Sequence, residues 1–356
     1  MSSRRLLSSL GLPVPLVSRL IEADFMYQED VQQLNPTELS DASGLSVKES
    51  AEVIRLTTTS INNPVDPLTV LQLIENEGGE VSHIVSFCES IDDLLGGGIP
   101  LRAITEIAGT PGIGKTQMCL QACVSVQLPH TVGGVQGEAV YIDTEGSFTV
   151  GRLKDMSEHA VQHIQSVAQN KEEVATFSVD GILRGTHYYR CTSYIEVMAV
   201  VKLLPKFLED HPNVRLVIID SIAFHFRHDF PDMISRTGIL CRITQDLIQL
   251  ATKHNLAVIV TNQMTTRFQG SGESQLVAAL GETWAHCPTI RLTLHWVNTC
   301  RCATLTKAPH RANDSINFQV TAAGIRDLID ITAMTAASRS PPHQEESSKK
   351  RKLNDT

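Results

Sequence analysis

No stretch of the 356 residues approaches the ~18–20 uninterrupted apolar residues of a membrane-spanning helix, so no membrane partner is expected. Met1 to Leu10 carries Arg4 and Arg5 but neither a long apolar run nor a small-residue cleavage site, which argues against a secretory leader. There is no Cys-x-x-Cys and no block mixing cysteine with histidine. Cys119 and Cys123 are four apart, Cys300 and Cys302 two apart, and the other cysteines are scattered. That spacing suits reduced, mostly buried thiols, not a disulfide framework or a zinc site. His225 and His228 have no third ligand nearby, which leaves a metal pair without support. Basic residues are also short, 30 Lys plus Arg against 39 Asp plus Glu, for a net charge of -9. This excludes a protein drawn onto phosphate backbones by its overall field, and any nucleic acid has to be held by a local strip.

What is present is ample core material, 42% hydrophobic residues, on a length of about two domains. From Leu12 to Leu56 the pattern is about four short amphipathic helices, with Leu16, Val17, Leu20 and Ile21 at helical spacing. Asn35-Pro36-Thr37-Glu38 and Ser46-Val47-Lys48-Glu49 read as helix starts of the capping-box kind, with Gly44 in the turn between them. Thr57 to Asp66 is polar and β-branched and contains Asn62-Asn63-Pro64, a linker signature. Beyond it, apolar strands at Ile104–Ala108, Ala139–Ile142, Leu216–Ile219 and Ala257–Val260 alternate with helical patterns. That alternation predicts an α/β fold with a mostly parallel sheet covered on both faces. The expected organisation is a helical domain over 1–56, a linker over 57–78, the α/β core over 79–337 and a disordered tail over 338–356.

The sharpest motif is Gly109-Thr110-Pro111-Gly112-Ile113-Gly114-Lys115-Thr116, a Gly-x-x-x-x-Gly-Lys-Thr string between a strand and a helix pattern. Glycines let backbone N–H groups turn inward around phosphates, and the helix N-terminus adds partial positive charge. Lys115 is placed on the β- and γ-phosphates of ATP and Thr116 on Mg²⁺. Leu216-Val217-Ile218-Ile219-Asp220 ends an apolar strand in an acid, suited to hold the metal through a bound water. Tyr141-Ile142-Asp143-Thr144-Glu145-Gly146 ends another strand with two acids. Ligands of open parallel sheets bind beyond the strand carboxyl ends, which makes Glu145 the candidate general base. The alternative is that Asp143 and Glu145 merely cap the following helix.

The order of these pieces, with Asp143-Thr144-Glu145-Gly146-Ser147-Phe148, Leu94-Leu95-Gly96-Gly97-Gly98-Ile99-Pro100 and Val260-Thr261-Asn262-Gln263-Met264, resembles the RecA-type recombinase family in its eukaryotic form. The resemblance covers about Phe87 to Asp327, and the N-terminal helices are similar to the helix-hairpin-helix domain that precedes that core. Phe226-Arg227-His228-Asp229, Thr261 to Thr266 and Ala279 to Trp284 look especially like a recombinase paralogue. The resemblance implies a RecA-like P-loop ATPase core. It places Gln263 as a sensor of the γ-phosphate linked to the DNA loops, and Arg152 against the adenine. It also implies a DNA loop one over about Ser221–Thr237 and a loop two over about Met264–Ala285. There Arg227, Arg236 and Arg267 are available for phosphate, and Phe224, Phe226, Phe268 and Trp284 for stacking, with core packing as the alternative for the aromatics.

Three departures bear on assembly. Loop one carries Pro231-Asp232-Met233 where strand-exchange recombinases are rich in glycine and arginine. No Phe-x-x-Ala occurs, and Lys307 stands where the family has an acid reaching the next subunit's ATP. Assembly with other paralogues is therefore expected over long homofilaments. The expected function is a slow, DNA-stimulated ATPase, a subunit of paralogue complexes in homologous recombination repair of double-strand breaks and crosslinks. It would bind single-stranded and branched DNA and promote or stabilise the main recombinase. The alternatives are an ATP-gated scaffold with negligible turnover and a hexameric helicase on the same core. Lys349-Lys350-Arg351-Lys352 reads as a nuclear localisation signal, with some cytoplasmic pool expected.

Overall fold

The computed structural model describes residues 6–9, 12–32, 34–61, 69, 71, 82–170, 172, 174–228, 230, 232–268 and 274–328. Most of the expected linker and all of the expected tail, including Lys349, Lys350, Arg351 and Lys352, lie outside them. The chain divides into two compact units, Met1–Glu80 and Val81–Thr356.

The first unit holds four α-helices among its described residues, α1 (Val14–Glu22), α2 (Gln28–Gln32), α3 (Pro36–Ser43) and α4 (Val47–Ile61). The Asn35 side chain accepts from the N–H groups of Thr37 and Glu38 at 3.0 and 2.9 Å, and Glu38 returns a bond to the Asn35 N–H at 2.9 Å. Both orphan donors of the first turn are thereby satisfied. Ser46 and Glu49 repeat the exchange at the start of α4. Leu20, Val31, Leu39, Leu45 and Val53 form the small core between the helices. Helix α4 runs on to Ile61, past Leu56, where the linker was expected to begin. Thr57 donates its hydroxyl back to the carbonyls of Val53 and Ile54, each at 2.9 Å, so its polar group is satisfied within the helix and does not break it.

The second unit begins with β1 (His83–Ile84), α5 (Glu89–Leu95), β2 (Ile99–Pro100), β3 (Ile104–Gly109) and α6 (Lys115–Ser125). Next come β4 (Glu138–Asp143), α7 (Val150–Val167), α8 (Val179–Arg184), β5 (Thr186–Arg190), α9 (Tyr194–Asp210) and β6 (Val214–Asp220). After them lie α10 (Ala223–His228), α11 (Met233–His254), β7 (Ala257–Asn262), β8 (Met264–Phe268), β9 (Ser274–Ala278) and α12 (Gly281–His286). The unit closes with β10 (Ile290–Val297), β11 (Cys300–Lys307), β12 (Ser315–Thr321) and β13 (Gly324–Asp327). The four strands expected from apolar runs all form.

Nine strands make one sheet in the order β13-β12-β11-β10-β3-β7-β6-β4-β5. From β10 through β5 every pairing is parallel, while β11, β12 and β13 extend that edge antiparallel. Strand side chains alternate between faces. Ile107, Tyr141, Ile218 and Ile259 join the apolar cluster on one side, with Leu120 of α6 and Leu153 of α7. Val140, Val217, Ile219, Val258 and Val260 join the other, with Val201 of α9 and Leu247 of α11. Both faces are covered, as the uninterrupted apolar strands require. The parallel arrangement puts the carboxyl ends of β3, β7, β6 and β4 side by side, so Gly109, Asn262, Asp220 and Asp143 all lie along one edge.

The last strand also caps an early helix. Asp327 accepts from the N–H groups of Glu89 and Ser90 at 2.9 Å each and from the Cys88 thiol at 3.3 Å, at the N-terminus of α5. Burial pushes this carboxyl up, but the bonds from Ser90, Glu89 and Cys88 outweigh it and bring the pKa down to about 2. Asp92, one turn along α5, goes the other way: burial raises it to about 6 against the bonds from Ser86. Asp327→Ala is expected to cost about 1 kcal/mol, the usual worth of a helix cap, read by denaturant unfolding. The signs for pH follow from proton linkage. Between about pH 6 and 4 the fold holds a proton on Asp92 that the unfolded chain lacks, so this group favours folding as pH falls. From about 4 to 2 the unfolded chain protonates Asp327 first, and that group's contribution is lost. Against the parent, Asp327→Asn should remove the lower limb and Asp92→Asn the upper one; unchanged limbs would contradict the assignment.

Candidate functional site

The loop after β3 has unmade donors. The backbone N–H groups of Gly112, Gly114, Lys115 and Thr116 donate to nothing among the described residues. The hydroxyl of Thr110 is buried without a partner. Gly112 and Gly114 sit at φ 75° and 120°, and a Cβ on Gly112 would meet nothing within 4 Å. A run of inward amides with orphaned polar atoms at a helix N-terminus is what a phosphate group satisfies. Lys115 folds back over the loop, its Nζ donating to the carbonyls of Gly109 at 2.9 Å and Thr110 at 3.1 Å. Burial pulls this ammonium below its usual pKa, while Asp220 and Glu145 work to raise it. A part-buried cation held only by carbonyls is completed by an anion. The residues present therefore fit a nucleotide triphosphate.

Asp220 closes the opposite side. It is 2% exposed, and Oδ2 accepts from Thr116 Oγ1 and Tyr141 OH at 2.7 Å each and from Ser147 Oγ at 3.4 Å. Oδ1 accepts from Thr261 Oγ1 at 2.5 Å. Burial pushes the Tyr141 phenol well above its ordinary pKa, so it stays a donor. No cluster of three His, Cys, Asp or Glu suited to a metal forms among the described residues. A threonine hydroxyl beside one carboxylate fits Mg²⁺, which takes oxygen ligands and keeps phosphates and waters for most of its shell.

The two acids of β4 part company. Asp143 accepts from the N–H groups of Gly146, Ser147 and Phe148 at 2.7, 3.2 and 3.3 Å, shaping the turn into α7. Glu145 instead reaches across: its Oε1 accepts from Ser221 Oγ at 2.5 Å and from Gln263 Nε2 at 2.7 Å, while Oε2 takes no bond among the described residues. The Gln263 oxygen accepts from Arg227 at 2.8 Å, so one chain of bonds runs Ser221–Glu145–Gln263–Arg227. Arg152 is fixed by Gln117 Oε1 at 2.7 Å and by the carbonyls of Thr321 and Ala322 at 2.6 Å, beside the start of α6. Gly109, Thr110, Pro111, Gly112, Ile113, Gly114, Lys115, Thr116, Asp220, Glu145 and Gln263 thus gather along one sheet edge.

The expected DNA loops are more ordered than loops. Loop one contains α10 and the first turn of α11, whose N-cap Asp232 accepts from Ile234 and Ser235. Loop two forms the β8–β9 hairpin and α12, with 269–273 outside the described residues. Arg227 is exposed, Arg236 keeps its Nε buried without a partner, and Arg267 pairs with Glu282 at 2.7 Å. Two of the aromatics named for stacking are core instead. Phe226 is fully buried against Tyr194 and Phe230, because α10 turns its apolar side onto the sheet. Trp284 is buried and donates its Nε1–H to Glu106. Phe224 is exposed, and the side chain of Phe268 lies outside what is described. Lys307 turns inward within its own chain. Its Nζ donates to the carbonyls of Ala285, His286 and Pro288 at 3.3, 3.0 and 2.7 Å, closing the C-terminus of α12 at the position where the resembled family carries an acid.

Glu106 went unnoticed in the sequence, although an acid inside an apolar strand is itself a signal. Fully buried in β3, it accepts from Asn262 Nδ2 at 2.6 Å and Trp284 Nε1 at 2.7 Å and pairs with Arg291. It thereby ties the strand that feeds the phosphate loop to the residue before Gln263 and to α12 of loop two. Breaking a buried pair strands the other charge, so Glu106→Ala should destabilise the core unit by about 3–5 kcal/mol and Glu106→Gln by less. An unchanged denaturation midpoint for Glu106→Ala would contradict this.

The family described as Rad51 matches residues 78–328. "DNA repair protein RAD51 homolog 3" of Cricetulus griseus is 42% identical over 351 residues, covering 94% of each chain. The protein of the same description in Dictyostelium discoideum is 42% identical over 271 residues, 75% of this chain and 70% of that one. "DNA repair and recombination protein RadA" of Metallosphaera sedula is 33% identical over 321 residues, 89% of this chain and 94% of the relative.

Proposed function

The chain belongs to the Rad51 family, and from that premise we propose that it is a recombinase paralogue of homologous recombination repair whose ATP use is coupled to DNA. RecA-type family members are ATPases that work with a divalent metal. Bound Mg-ATP supplies the phosphoryl group and the positive charge that offsets its transfer. The amides of Gly112, Gly114, Lys115 and Thr116 and the Lys115 ammonium hold the phosphates, Thr116 and Asp220 hold the metal, and Arg152 lies against the base. Glu145 is oriented through Oε1 by Ser221 and Gln263, which leaves Oε2 to take a proton from water.

The observation that carries the DNA coupling is the Glu145–Gln263–Arg227 chain. It joins the base of the nucleotide site to an exposed arginine in loop one through the first residue leading into loop two. A DNA phosphate that draws Arg227 away frees the amide of Gln263, and with it the setting of Glu145. This favours slow, DNA-stimulated turnover over a scaffold, which has no use for an oriented Glu145. Rad51 membership favours it over a ring helicase. The proposal includes single-stranded and branched DNA as ligand, hetero-assembly with other paralogues, support of the main recombinase at breaks and crosslinks, and a nuclear address through Lys349, Lys350, Arg351 and Lys352.

Lys115→Ala should abolish nucleotide retention in a filter-binding assay, because the phosphates lose their main counterion; unaltered ATP affinity counts against the site. Glu145→Gln should keep ATP bound and lower DNA-stimulated hydrolysis by about 10²–10⁴-fold. Hydrolysis at the parent rate would reduce Glu145 to a structural residue. Mass spectrometry of subunits that co-purify from native cells tests the hetero-assembly, and recovery of this chain alone would contradict it.

A further inference from the structure

Arg301 of β11 donates its Nε–H to the carbonyl of Ile113, inside the phosphate loop, at 3.1 Å. Its register partner across the β10–β11 pair is Trp296, whose ring centroid lies 4.6 Å from the guanidinium carbon. No carboxylate pairs with Arg301 among the described residues. The pairing of β10 with β3 ends at Leu294 opposite Gly109, where the chain leaves the sheet as the loop. The hairpin continues through His295, Trp296 and Val297, so it rises roughly 10 Å beyond that point and stands beside the loop as a wall.

A trans peptide points its C=O and the following N–H in opposite directions. Arg301 holds the Ile113 carbonyl on the outer side, so the N–H of Gly114 faces the other way, and it is one of the amides with no acceptor among the described residues. Gly114 sits at φ 120°, a region glycine enters freely, so the 113–114 peptide can flip at little cost unless something outside holds it. Trp296, 45% exposed, lies over the guanidinium and screens the bond from water.

We infer that Arg301 is a positioning residue for the nucleotide loop, with Trp296 as its cover: it clamps the Ile113 carbonyl and so keeps the Gly114 amide aimed at the phosphates. This rests on the triphosphate reading of residues 109–116. Because the clamp acts on a loop amide and not on the groups around the terminal phosphate, ATP and ADP should feel it alike.

The test titrates fluorescent ATP and ADP analogues into the full chain with its co-purifying subunits. Arg301→Ala should weaken both nucleotides by ~10-fold or more, the worth of a charge-assisted hydrogen bond, and leave kcat at saturating ATP within about twofold. Arg301→Lys, which keeps the charge without the planar fork, should recover part of the loss. Trp296→Phe should bind as the parent does and Trp296→Ala about 2–5-fold more weakly. Iodide reaches Trp296 but not the buried Trp284, so iodide-quenchable tryptophan emission should respond to ADP in the parent and not in Arg301→Ala. Affinities within about twofold of the parent in a folded Arg301→Ala, or a fall in kcat at unchanged affinity, would overturn the inference. If Arg301→Ala fails to fold, equal affinities for Trp296→Ala and Trp296→Phe overturn it instead. Lys115→Ala separates the two levels. If it loses nucleotide while Arg301→Ala retains it, only the clamp is wrong; if it binds as the parent does, the triphosphate reading falls too.

Discussion

A carboxylate with almost no exposure needs donors, and around Asp220 they come from separate parts of the chain. Thr116 opens α6, Tyr141 lies in β4, Thr261 lies in β7 and Ser147 follows the β4 turn. Leaving such a group unsatisfied costs several kcal/mol, so the segments are held to one another by the requirement to satisfy it. Parallel pairing makes this possible, since it delivers the carboxyl ends of β3, β7, β6 and β4 to one edge. The glycine-rich loop's helix and the acid at the end of β6 are then two sides of one hydrogen-bonded junction.

Glu106 plays a corresponding part deeper in the sheet. It sits in the strand that feeds the phosphate loop and is satisfied by Trp284 of loop two and by Asn262 and Arg291 on either side of that loop. The two buried acids divide the work. Asp220 joins Thr116 to β4 and β7, and Glu106 keeps the foot of loop two attached to β3. Between them, Asn262 and Gln263 are consecutive, one bonded to Glu106 and the other to Glu145. The segment entering loop two is therefore joined to Glu145 and to Glu106 through the single peptide unit between Asn262 and Gln263.

The same economy appears at the rim. Arg227 and Arg301 both meet the site from outside, one through a side-chain amide and one through a loop carbonyl, and neither has a carboxylate partner. Arg267, by contrast, is already paired with Glu282. An arginine resting on a neutral acceptor gives up less when a phosphate approaches than one in an ion pair, which sets Arg227 apart from Arg267.

Much of this was legible in the residue order, because its signals are local. The capping box at Asn35, the glycine-rich loop between strand and helix, and acids at the ends of apolar runs depend only on near neighbours. Those features single out residues 109–116, Asp220 and Glu145 from residue order alone. Whether Asp143 and Glu145 shared a role was not decidable there; the turn that wraps Asp143 in three amides and leaves Glu145 pointing at β7 is a property of the folded edge. For Phe226 and Trp284 the residue order left stacking, implied by the resemblance of their loops, and core packing both open; they turn inward because α10 and α12 pack back on the sheet. Glu106, Lys307 and Arg301 each take their partners from segments distant in sequence, and such partners are chosen by strand register. The linear chain thus specified which chemical groups stand at the strand ends, while the tertiary structure alone decided which of them meet, since that depends on pairings made across the whole sheet.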